Sequence, residues 1–159
     1  MIRTFATAGG RRPRWIASSL MMAVMVTAGA SRAAAQAPAA RVFASDAGMV
    51  LNFIKPDKTA DFEAVVAKLK EALQKSTKPE RKQQAASWKV YKSTDPAANG
   101  NVLYVFFIDP AVKGADYTVS TILNEVFPQE VQALYKQYAD AYATGQNFVN
   151  LAVTSDFSK

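Results

Sequence analysis

The chain has 159 residues, with 19 Lys+Arg against 13 Asp+Glu for a formal net charge of +6, and it contains neither cysteine nor histidine. Those two absences exclude disulfides, cysteine nucleophiles, imidazole bases, histidine-ligated haem and ordinary zinc sites. The basic excess is confined to the start: Arg3, Arg11, Arg12, Arg14 and Arg32 precede position 36 and no acidic residue does, which leaves 14 basic against 13 acidic side chains. A nucleic-acid or anionic-membrane partner therefore loses its main support.

Residues 1–35 read as a secretory signal peptide. Arginines precede the apolar run 15–30, and small residues follow at 33–37. That is a basic n-region, an h-region short for a membrane span, and an A-x-A site. Cleavage after Ala35 keeps Pro38 away from the cut. Adjacent Arg11 and Arg12 raise a twin-arginine route, but Arg14 stands where that signal carries a hydrophobic residue, which favours the general secretory route. A periplasmic or secreted location is expected, with no stable membrane insertion after cleavage. The remaining 124 residues suit one domain with its own core. A flexible Ala-rich leader is expected over 36–47, in which Val42 and Phe43 could pack, and a single α+β domain over 48–157.

Taken in order, 49–55 reads as a strand stopped by Pro56. Thr59 is placed to cap a helix, with Asp61 and Glu63 in its first turn. Phe62, Val65, Val66, Leu69 and Leu73 make one apolar stripe, and Pro79 follows the end of that helix. A charged connection is expected over 78–84. Over 85–92, Trp88 and Val90 alternate with Lys89 and Tyr91, a strand pattern. Asp95-Pro96 and Asn99-Gly100 then mark a loop that folds this strand back on the next as an antiparallel pair.

Val102 to Ile108 is an uncharged run of seven β-branched, aromatic and aliphatic residues, which reads as a central strand, closed by Asp109-Pro110. Val119, Ile122, Leu123, Val126 and Phe127 are spaced for a helix. Pro128 predicts a kink or restart, after which Val131, Leu134, Tyr135, Tyr138 and Tyr142 resume the spacing up to Gly145. A last strand is expected over 147–154.

This β-α-β-β-α-β order predicts a ferredoxin-like α+β sandwich, a four-stranded antiparallel sheet with two helices on one face. By element order, element lengths and the helix break before Pro128, residues 48–155 resemble the dimeric α/β-barrel group that includes antibiotic-biosynthesis-monooxygenase-like proteins. The resemblance implies a cavity between sheet and helices, where cofactor-independent oxygenases of the group use polar and aromatic residues. Haem degradation in that group needs a histidine ligand, which this chain lacks.

Asn52, Trp88 and Tyr104 are the residue types such a cavity would use, and they are the candidate ligand-binding residues. Asn52 and Asn150 each interrupt an apolar strand, as a satisfied amide or as a polar group facing a pocket. Trp88 fits a core or interface anchor better than a catalytic group. The tyrosines at 135, 138 and 142 form a stripe whose hydroxyls would reach the rim. Asp109, Asp116, Tyr117 and Glu125 gather near one loop, though in ordinary positions for their types. No catalytic motif, phosphate loop or metal-ligand spacing appears, and neither cofactor nor metal is expected.

Both faces of three strands are apolar, which predicts a homodimer burying the second face. The expected function is a non-catalytic exported dimeric module binding a small apolar or aromatic ligand or a partner. The alternative is a cofactor-independent monooxygenase- or isomerase-like enzyme.

Overall fold

Four strands form one antiparallel sheet in the computed structural model, which describes residues 40–158. The segment 1–35 expected to be an export signal, and the expected leader up to residue 39, lie outside the described residues. The strands are β1 (Ala47–Ile54), β2 (Trp88–Lys92), β3 (Val102–Ile108) and β4 (Asn147–Leu151), in the order β2-β3-β1-β4. The apolar run of β3 thus sits in the interior of the sheet as expected. It is fed by a tight turn in which Asn99 and Gly100 take left-handed φ of 61° and 73°, a conformation open to those two residue types.

Period-two alternation divides each strand. Val50, Asn52 and Ile54 of β1 lie beside Phe106, Tyr104 and Val102 of β3, and the helices cover this face. Met49, Leu51, Phe53, Leu103, Val105, Phe107, Val149 and Leu151 occupy the opposite face and are only half-buried.

The helices are α1 (Thr59–Lys75), α2 (Pro79–Ser87), α3 (Val119–Val126) and α4 (Val131–Ala141). The stripe of α1 is buried at Phe62, Val65, Leu69 and Leu73. Phe62, fully buried, ties three elements together, with its ring 4.7 Å from Tyr104, 6.0 Å from Phe106 and 5.7 Å from Tyr138. Truncating such a side chain to alanine costs about 3–5 kcal/mol.

Four helices, not two, correct the expected architecture. The break at Pro128 separates α3 from α4. The larger correction is α2, which replaces the charged connection over 78–84 and delays the second strand from 85 to Trp88. Its inward face is polar, so it shows no apolar stripe. Arg81 is 2 % exposed and its guanidinium binds both carboxylate oxygens of Glu125 (3.0 and 2.8 Å), Gln84 Oε1 at 2.7 Å and the Asp116 carbonyl at 2.6 Å. Hydrogen bonds to charge do there what methyl groups do elsewhere. Smaller differences are that Thr59 follows a 3-10 turn (Pro56–Lys58) rather than capping α1, and that β4 ends at Leu151.

The leader expected to be flexible over 36–47 is anchored from Arg41 onward. Arg41 N–H donates to Asp116 Oδ1 (3.0 Å) and Thr118 Oγ1 (3.2 Å), and Arg41 C=O accepts from Tyr117 N–H at 2.8 Å. Phe43, 1 % exposed, stacks on Phe148 at 4.0 Å and meets Tyr117 edge-on at 5.0 Å. Its ring lies directly over Gly48, where a Cβ would come within 2.1 Å of two ring carbons. Only glycine fits that position.

Candidate functional site

A polar side chain in the covered face of a sheet needs partners, because an unbonded buried amide is costly. Asn52 is fully buried and has four. Its Nδ2 donates to the carbonyls of Val50 and Tyr104 (both 3.1 Å), while its Oδ1 accepts from Tyr142 Oη and Gln146 Nε2 (both 2.8 Å). Gln146 Nε2 also stands 2.9 Å from Tyr138 Oη and 2.8 Å from Tyr142 Oη. One amide nitrogen with two hydrogens therefore faces three acceptors.

The chain after α4 fixes this cluster. Lys55 N–H donates to Ala141 C=O (3.0 Å) and Ala143 N–H to Phe53 C=O (2.9 Å), and Ile54 bridges Tyr142. This stitching ends the helix at Ala141, before the expected stop at Gly145, and turns Tyr142 toward the sheet. Burial pushes the Tyr138 phenol up to about 12 and raises Tyr142 further, with the nearby Arg41 charge pulling weakly the other way on both. Both phenols are neutral hydrogen-bonding groups at physiological pH.

Above the cluster lies a cavity of about 280 Å3 between the sheet, the start of α3, and α4. Val50, Phe106, Tyr117, Val119, Tyr138 and Tyr142 form much of its wall, and Arg41 and Ser120 contribute polar groups. No residue lining it carries a carboxylate.

Asn52 itself does not line this cavity but holds the side chains that do, and the other two candidate residues lie elsewhere. Trp88 lines a second groove of about 450 Å3 between α1 and β2, together with Val66, Leu69, Leu73 and Val90. Its ring contacts Phe106 (5.5 Å) and Tyr117 (5.4 Å), and its buried indole N–H has no hydrogen-bond partner among the described residues. Tyr104 lines neither space. Its hydroxyl donates to Glu63, which also binds Lys92 Nζ at 2.9 Å. The Tyr104 hydroxyl and then Lys92 hold the Glu63 carboxyl below its usual range, and burial foremost raises the phenol. Asn52, Trp88 and Tyr104 thus share a sheet face without converging on one space.

Asn150, weighed beside Asn52 as a pocket group, is exposed and accepts the Ala44 N–H at 2.8 Å, pinning the leader. Asp116 and Glu125 are both engaged, Asp116 capping Thr118 N–H (2.8 Å) and Glu125 holding Arg81. The residues that do meet at the cavity and that sequence reasoning passed over are Arg41 and Gln146. Tyr138 and Tyr142 were legible as a stripe, but their hydroxyls turn inward to Gln146 rather than out to the rim.

Among the described residues, no cluster of three or more acidic side chains is placed to hold a metal ion, and no helix is long and apolar enough to cross a membrane. No family model, curated protein or solved structure matches the chain.

Proposed function

We propose that this chain is an exported dimeric binding module that takes a small apolar or aromatic molecule into the cavity between sheet and α4. The observation that carries this reading is the wall itself, in which aromatic and aliphatic side chains surround phenols held in place by Gln146 and Asn52. Ligand sites commonly pair an apolar lining with a few fixed polar groups. A space of about 280 Å3 exceeds the roughly 150 Å3 cavity that holds benzene, so one or two fused rings fit. The cofactor-independent enzyme is the weaker alternative, because proton abstraction needs a base and the lining offers neutral phenols, hydroxyls and one guanidinium.

Read from its other edge, the sheet runs β4-β1-β3-β2. With all neighbours antiparallel, that arrangement supports a ferredoxin-like build and a place near the dimeric α/β-barrel group. The half-buried apolar face supports a second copy as its cover, since contiguous apolar side chains in water favour association. Export rests on the arginine n-region, the apolar run and the small-residue site.

The test is native mass spectrometry of the protein purified from its source, followed by titration of naphthalene-type probes against Trp88 fluorescence. A retained small organic mass, or saturable probe binding weakened by Tyr138→Ala, is expected. Protein that purifies empty and binds no aromatic probe would reject the reading.

A further inference from the structure

We infer that the ligand of this cavity is an aromatic carboxylate, its ring held between Phe106, Tyr117 and Tyr138 and its carboxylate paired with Arg41. This rests on the binding reading above and adds the charge of the ligand. Arg41 and Ser120 line the cavity, and no acidic side chain does. The space therefore has one formal charge, and it is positive.

That charge is also uncommitted. Lys58, Lys68, Lys75, Lys78, Arg81, Lys92, Lys113 and Lys136 each form an ion pair, whereas Arg41 forms none among the described residues. Asp116, which sits against the Arg41 backbone, is occupied by the N–H groups of Arg41 and Thr118. Arg41 is exposed, and Lys55, Lys70, Lys82 and Lys89 likewise have no ion pair among the described residues, but of these only Arg41 lines the cavity, and its backbone is fixed. Arg41 is bonded at both its N–H and its C=O, and Phe43 two residues on is locked under Phe148. Much of the ordering that ion pairing would otherwise demand is already done. A guanidinium can hold a carboxylate through two parallel hydrogen bonds. Ser120 can donate a further one, and the phenols of Tyr138 and Tyr142 supply neutral polar contacts that do not repel an anion.

The experiment compares 2-naphthoate with 2-naphthamide, a neutral compound of nearly the same shape, by calorimetric titration of protein recovered from an exporting host. Wild type is expected to bind the carboxylate about tenfold more tightly at low salt, with the advantage shrinking as salt rises. Arg41→Gln should reduce that preference, read as the ratio of the two affinities within the same variant, to about twofold or less, and Arg41→Lys should keep part of it. Circular dichroism confirms that both variants fold. Equal affinity of wild type for the two compounds, or a preference that survives Arg41→Gln, overturns the carboxylate while leaving the binding site intact. If neither compound binds wild type, the binding reading falls and the carboxylate with it.

Discussion

Gly48→Ala should destabilise this protein, although alanine is ordinarily the better strand residue by about 0.5–1 kcal/mol. The new Cβ would lie 2.1 Å from two carbons of the Phe43 ring, against an ordinary carbon–carbon contact of about 3.5–4.0 Å. The ring has to retreat by more than an ångström, and Phe148 stacked at 4.0 Å blocks its far side. Overpacking of this kind costs about 1–3 kcal/mol. Ejecting the ring instead forfeits much of the 3–5 kcal/mol that truncating a buried phenylalanine costs, roughly. A loss of about 1–4 kcal/mol spans the two routes. The decisive version is a double-mutant cycle read by urea denaturation. In a Phe43→Ala background the obstacle is gone, so the same Gly48→Ala change should become neutral or stabilising by up to about 1 kcal/mol. A change of sign between the two backgrounds is the signature. Equal effects in both would show that Phe43 does not cover Gly48, and the anchoring of Arg41 would lose its basis.

Other outcomes follow from the same contacts. Asn52→Ala strands the Tyr104 carbonyl and two polar partners, so it should cost about 2–4 kcal/mol in denaturant unfolding; a loss below about 1 kcal/mol would mean the amide is not the hub of that cluster. Arg81, followed by burial acting in the opposite sense, sets the Glu125 carboxyl below its usual range. A depressed folded value adds stability above the ordinary carboxylate range, and that increment disappears as pH falls through the lower folded value. Glu125→Gln should therefore flatten the acid limb of a melting-temperature profile, and an unchanged limb would contradict the pairing. The proposed dimer predicts that wild type sediments as a dimer and that Phe107→Glu or Val105→Asp, on the half-buried sheet face, yields monomers in sedimentation velocity; a monomeric wild type at micromolar concentration would refute that interface. Trp88→Phe removes a buried donor without a partner and should stay within about 1 kcal/mol of wild type, whereas a large loss would reveal a bond to the indole.

The strands and the two long helical patterns were legible because their apolar spacing is set by burial against one layer. The run from Val102 to Ile108 and the stripe from Phe62 to Leu73 show this directly. Helix α2 was not legible, since Arg81 and Gln84 are buried by satisfying one another and the Asp116 carbonyl, a solution with no hydrophobic period. Asn52 stood out as a polar residue in an apolar strand, but its partners at 142 and 146 are ninety positions away and nothing local points to them. Arg41 looked like part of a loose leader. Its role depends on Phe43 finding the one gap that a glycine in β1 leaves open.

The strand order also dictates how this sheet must assemble. Only β2 and β3 are neighbours in both sequence and sheet, joined by the loop over 93–101; β1 pairs Ile54 with Val102 on one side and Ala47 with Leu151 on the other. Loop closure between such distant segments is slow, and topologies built on it fold more slowly than those rich in local contacts. The β2–β3 hairpin can form early, on the microsecond scale of about 1–10 μs for hairpins in general. β1 has no neighbour until the second half of the chain is present, and its outer edge stays open until β4 arrives. A nascent chain of this design holds no completed sheet until its last strand leaves the ribosome, so the edge of β1 is open to pairing with other chains for most of synthesis.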